Sequence, residues 1–230
     1  MVTRRTLLIA GLGLGTLAAG LALATPGHRL RALAQLAFDP EASPPRAMPV
    51  FSEPEPWAIR LVAGGEGQIG RTLRYDPAYE RIAYPGGDVP FERGVCTDVI
   101  IRAYRSGLGV DLQKLVHEDM RRNFAAYPAL WGLKQPDPNI DHRRVPNLQA
   151  FFRRAKASLP VSDDPRDYQP GDVVSQKLSN GLAHIVLVTH RASTDGKRPM
   201  VIHNIGAGAR LEDVLFAFTI TGHYRYRPHI

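Results

Sequence analysis

Residues Tyr84–Tyr104, YPGGDVPFERGVCTDVIIRAY, hold the single cysteine of the chain, Cys96, where a Gly- and Pro-rich loop gives way to helical spacing. Val95, Val99, Ile100, Ala103 and Tyr104 recur at intervals of three and four residues, which predicts one buried helix face. Asp88, Pro90 and Gly94 keep that helix from starting earlier. A thiol in the first turn lies beside unpaired N–H groups at the positive end of the helix dipole, a setting that favours the nucleophilic thiolate. A free cysteine is equally at home as a small buried hydrophobe, and this stretch alone leaves both readings open.

Upstream, Arg4 and Arg5 precede an uncharged apolar run from Leu7 to Ala24 that closes on the small-x-small triplet Ala22-Leu23-Ala24. Residues 1–24 therefore predict an export signal, and Thr3-Arg4-Arg5-Thr6-Leu7-Leu8 resembles the twin-arginine kind. The same run is long enough to anchor the chain in a membrane if it is retained. Residues 25–56, with six prolines from Pro40 to Pro56, predict a stiff linker, which leaves 57–230 as one domain. The expected location is the periplasm or cell exterior, where an exported chain with one cysteine closes no internal disulfide. An idle thiol is a liability there, so Cys96 gains weight as a chemical group.

The chain has 230 residues, 44% hydrophobic and 22% charged, a globular balance. Its net charge of +7 attracts anionic partners such as cell-wall polymers or lipid headgroups. No Lys/Arg run concentrates that charge, so no nucleic-acid partner is expected, and a monomer is.

Downstream of Tyr104 the helix is expected to end near Ser106-Gly107, with Gly107 as its cap. Asp111 caps a second helix with an apolar stripe at Leu112, Leu115, Val116 and Met120, and a third helix begins at Asn147. Between them, residues 127–146 form a long loop rich in turn residues. Then the period changes. Asp172–Ser175, Ala183–His190, Pro199–Ile205 and Ala217–Tyr226 read as strands, with Ser193-Thr194-Asp195-Gly196 as a hairpin turn. Helices first and antiparallel strands afterwards indicate an α+β domain.

A cysteine nucleophile needs a base, and the base needs a polar group to orient it. His184 opens an otherwise apolar strand, and His203 and Asn204 sit in the next. Folding about Thr194/Asp195 sets His203 opposite Val186 and His184 opposite Ile205, so the two histidines become diagonal neighbours. A one-residue bulge would put Asn204 in place of His203. Each histidine taken singly is as well explained as a core residue satisfied by backbone carbonyls. A metal site built from His184, His203, His190 or His223 with Cys96 is a rival, but no metal-ligand spacing supports it, and none is expected.

Tyr84-Pro-Gly-Gly-Asp-Val-Pro followed by Gly94-Val95-Cys96-Thr97-Asp98 resembles the nucleophile motif of NlpC-type cell-wall cysteine peptidases. The resemblance continues through Pro170-Gly171-Asp172-Val173-Val174, Ala183-His184-Ile185-Val186 and Ile202-His203, in the family's order, over roughly residues 80–226. Val95 and Thr97-Asp98 depart from it, standing where the family has an acidic residue and Ser-Gly. The chain as a whole also looks like an exported bacterial family of unassigned function, marked by Asn139–Asn147 and Val201–Gly206.

This resemblance implies a papain-like fold, with a cysteine-bearing helix packed on the C-terminal sheet, and a cofactor-free cysteine hydrolase. It implies Cys96 as nucleophile, His184 as base, His203 or Asn204 as its orienter, and the Tyr84 hydroxyl with the Cys96 N–H as oxyanion donors. The implied substrate is an amide bond in peptidoglycan stem peptides. The basic loop Asp137–Arg144, with Trp131 upstream, is the expected recognition region: Arg143 and Arg144 either bind substrate carboxylates or anchor the loop to Asp137, Asp141 or glutamates of the body. Acyl transfer, and a catalytically idle wall-binding module, remain as alternatives.

Overall fold

The computed structural model describes residues 53–228; the expected export signal and nearly all of the expected linker lie outside the described residues. Helix α1, Pro56–Glu66, opens with Pro56 in its first turn, where a missing N–H costs nothing, so the folded part begins one residue inside the expected linker. Trp57, Leu61, Val62 and Gly65 form its buried face. Helix α2, Cys96–Leu108, is buried along most of its length, Val99 to Tyr104 included.

The end of α2 differs from expectation for a physical reason. The helix runs past Gly107 and is capped by Gly109 in the left-handed conformation (φ 68°), its N–H reaching the Arg105 carbonyl and the Val110 N–H reaching that of Tyr104. Gly107 serves contact instead. A Cβ there would lie 2.2 Å from the Arg60 carbonyl oxygen, and one on Gly64 would lie 2.6 Å from the Ala103 oxygen. Helices α1 and α2 therefore meet backbone to backbone.

Helix α3, Leu112–Asn123, is capped by the Asp111 side chain, which accepts from the Gln113 N–H. The loop that follows contains short 3₁₀ turns at Phe124–Ala126 and Asp141–Arg143. Helix α4, Val145–Arg154, starts two residues before Asn147 because Pro146 fits its first turn.

The strands are β1 (Arg74–Tyr75), β2 (Arg93–Gly94), β3 (Ser158–Leu159), β4 (Val173–Lys177), β5 (Ala183–Ala192), β6 (Pro199–His203), β7 (Arg210–Glu212) and β8 (Thr219–Tyr224). Six of them form an antiparallel sheet in the order β3-β8-β4-β5-β6-β7. Alternation divides its faces. Val173, Ile185, Leu187 and Ile202 pack with the helices, while Val174, Val186, Val188 and Val201 join Tyr168 and Leu215 in a second cluster. The architecture is α+β.

The β5–β6 hairpin turns one residue later than expected: Ser193 N–H bonds the Arg198 carbonyl and Ala192 pairs Pro199. An irregularity between Val188 and Ala192 then shifts the register, so that Leu187 pairs Ile202. The expected alignment of His203 with Val186 is thus reached through a turn and a bulge that offset each other. The short pair β1–β2 is parallel and sets Tyr75 opposite Gly94, two residues before Cys96.

Candidate active site

Cys96 is the first residue of α2 and is buried. Val95 just before it is extended, and its N–H donates to Asp98 Oδ2 at 2.7 Å, which fixes the helix start. The thiol borders a cleft of about 410 Å³ together with Tyr75, Trp131, Arg144 and Ala183. His184 borders an adjoining cleft of about 470 Å³, and Tyr75 and Ala183 line both. Cys96 Sγ makes no hydrogen bond to the His184 ring; it meets the backbone N–H of Ile185, the next residue in the strand. Thiol and base thus lie on neighbouring walls, and such contacts often tighten only around a substrate.

His184 Nε2 lies 2.9 Å from His203 Nδ1, and His203 Nε2 lies 2.7 Å from Glu212 Oε2. The chain of bonds has a direction. A carboxylate only accepts, so His203 Nε2 carries the proton; neutral His203 then accepts at Nδ1, so His184 Nε2 carries its own. Neutral His184 is left with an unprotonated Nδ1, the nitrogen a general base uses.

Burial governs the resting charges. It lowers His184 to about 3, with His203 adding to the effect. It also lowers His203, against an upward pull from Glu212. Burial raises Cys96 to about 12, and Asp98 adds to that, while the N–H groups of Ile185, Thr97 and Cys96 itself pull it down. The helix start was expected to favour the thiolate; desolvation outweighs it, and the resting thiol is protonated.

The structure reassigns several expected roles. Tyr84 is exposed and stacks edge-on to His117, 4.9 Å between ring centroids, so it does not border the Cys96 cleft. The tyrosine beside the thiol is Tyr75, raised to about 12 by burial and by the nearness of Cys96 and Asp98; its hydroxyl stays a donor. Asn204 does not reach His184, because the register has no one-residue slip there. Its amide bonds Gly94 O at 2.9 Å and Arg74 O, and its oxygen accepts from the Gly206 N–H.

Arg143 borders the cleft, but its guanidinium is committed: Nε and Nη2 each donate to Asp98 at 2.9 Å, and further bonds reach Ala78 O and Asp76 O. It anchors its loop to the cysteine helix, and its partner is Asp98 rather than Asp137 or Asp141. Arg144 does pair Asp141, at 3.0 Å, and its guanidinium lies 4.1 Å above the Trp131 ring at the rim of the cleft. His223 is elsewhere, held between Asp172 Oδ2 at 2.7 Å and Pro160 O at 3.1 Å. Among the described residues no three His, Cys, Asp or Glu side chains converge on a metal position.

Tyr75 and Glu212 escaped the sequence reading. Arg210-Leu211-Glu212, alternating after the turn around Gly206 and Gly208, is a strand signal that points to β7. Nothing local distinguishes Tyr75; only the pairing of β1 with β2 brings it to Cys96.

The site therefore belongs to a single-cysteine α+β domain whose thiol meets the strand that begins a His–His–Glu chain, the two histidines buried and the glutamate partly exposed. The chain belongs to the DUF1287 family, a domain of unknown function, which matches residues 62–226. It is 61% identical over 168 residues to the uncharacterized protein YijF of Escherichia coli K12, covering 73% of this chain and 81% of that protein.

Proposed function

We propose that this protein is an exported cysteine hydrolase of papain-like, NlpC-type fold that cleaves an amide bond, in peptidoglycan stem peptides. The observation that carries the reading is the hydrogen-bonded chain His184–His203–Glu212, whose direction leaves a base nitrogen on His184, next in the strand to the Ile185 N–H that meets the helix-start thiol. In the reaction His184 Nδ1 takes the Cys96 proton as Sγ attacks the amide carbonyl. Glu212, through His203, stabilises the imidazolium that forms. The tetrahedral oxygen is met by the Cys96 N–H and the Tyr75 hydroxyl. Collapse expels the amine, which takes the proton from His184, and water then hydrolyses the thioester by the same steps in reverse roles.

The idle-module reading draws on one observation, the burial of Cys96. A single experiment separates the two. Purified Cys96→Ala protein, shown by circular dichroism to be folded, is expected to release no fragments from isolated sacculi, whereas the unaltered protein releases stem-peptide fragments detectable by mass. Equal release by both proteins, or none by either, overturns the hydrolase reading.

A further inference from the structure

A smaller cavity of about 110 Å³ adjoins the Cys96 cleft, between α3, the Phe124–Ala126 turn and the start of α4. Trp131 and Arg144 line both spaces, so one stacked pair stands between them. Met120, Phe124 and Leu133 give the cavity apolar walls.

Its polar groups are unevenly satisfied. Asn147, 1% exposed, donates through Nδ2 to the Asp141 carbonyl at 3.0 Å, but its Oδ1 is buried with no hydrogen-bond partner. The amide orientation is fixed by that donation, since flipping it would set two oxygens together. The Asp141 carboxylate, also 1% exposed, accepts from Arg144 Nη1. Nη1 is the one Arg144 nitrogen that donates to a protein acceptor among the described residues. A buried carbonyl oxygen left unpaired is costly, and native interiors rarely keep one without a ligand or water.

We propose that this cavity is a subsite for a neutral carboxamide group, its N–H donated to Asn147 Oδ1 and its carbonyl turned to the free edge of Arg144. Charge selects this chemistry. An ammonium group would meet Arg144, a carboxylate would meet Asp141 and a second acceptor in Asn147, and a hydrocarbon would leave Asn147 unpaired. At about 30 Å³ per water-sized group, the space takes three to four non-hydrogen atoms, the size of a short amide-tipped side chain. That this group belongs to the substrate rests on the hydrolase reading; the binding itself does not.

The test therefore uses binding, on the chain carrying Cys96→Ala. The sequence has two tryptophans, Trp57 and Trp131, so two indole N–H signals report in a ¹⁵N spectrum. Acetamide, with four non-hydrogen atoms, should shift the Trp131 signal saturably and leave Trp57 unmoved. Propionitrile, acetate and ethylammonium should each bind at least about fivefold more weakly, the loss of one hydrogen bond or more. Asn147→Leu, which removes the acceptor, and Ala125→Leu, which fills the cavity from an exposed rim position, should both abolish the shift. No saturable shift, which means Asn147 holds only water, overturns the proposal. So does equal binding of all four probes, or binding that survives both substitutions. A positive shift here, together with no cleavage of sacculi by the unaltered protein, would sink the hydrolase reading and keep the subsite.

Discussion

Glu212→Gln keeps an acceptor for His203 Nε2 but removes a negative charge, and its consequences can be worked from distances. On the hydrolase reading, when Cys96 gives its proton to His184, a positive charge appears on a ring whose centroid is 5.1 Å from that of His203. The Glu212 carboxylate lies 2.7 Å beyond the far nitrogen of His203. Across about 8 Å at an effective dielectric near 20, that carboxylate stabilises the imidazolium by about 2 kcal/mol. Its side chain is 36% exposed, so solvent screening reduces this to about 1 kcal/mol. Exchanging a charge-assisted hydrogen bond for a neutral one removes about 1 kcal/mol more. The reactive ion pair should become about thirtyfold rarer.

Alkylation of Cys96 by iodoacetamide reads this population without knowledge of the substrate. The rate near neutral pH should fall about thirtyfold in the variant. Its acid limb should also move. Burial lowers the His203 pKa and Glu212 raises it, so removing the carboxylate leaves burial unopposed. Protonation of His203 Nδ1, which blocks the bond to His184, then sets in at lower pH. A purely structural glutamate would not shift that limb. An unchanged rate with an unmoved acid limb refutes the relay.

Three further outcomes are expected. Arg143→Met strands Asp98 in a site where both side chains are almost fully buried, 2% and 3% exposed, and should cost about 3–5 kcal/mol in urea unfolding. Gly107→Ala drives a Cβ against the Arg60 carbonyl and should cost about 1–3 kcal/mol in the same assay, although alanine is the better helix former. Arg4→Lys with Arg5→Lys should hold the protein in the cytoplasm on cell fractionation, as expected for a twin-arginine route; unimpaired export would count against that reading.

The helices were legible by their period, three and four residues through Val99–Tyr104, and the major strands as β-branched runs such as Ile185–Val188 set between turn residues. The pairing of His184 with His203 was also legible, yet it came out right because a later turn and a bulge cancel, and local pattern holds neither. Gly107 was misread because a glycine near a helix end has two uses, capping and close approach, and only the position of α1 decides between them. Arg143 illustrates the same limit. Its charge suggested a ligand, but its partner stands 45 positions earlier in the chain, on a helix with which it shares no sequence pattern. Tyr75 reaches the thiol through a two-residue parallel bridge, too short for any periodicity to announce.

The order of the site residues along the chain, Cys96, His184, His203, Glu212, has a consequence for biosynthesis. The thiol leaves the ribosome first and the residue that completes the relay leaves more than a hundred positions later, close to the end of the domain. Asn204, whose amide clasps Gly94 ahead of the cysteine, arrives with that last group of strands. On the hydrolase reading, a chain interrupted before residue 212 carries a nucleophile without a working base. On that reading translation itself postpones activity until the domain is whole, which suits the twin-arginine route expected from Thr3-Arg4-Arg5-Thr6-Leu7-Leu8.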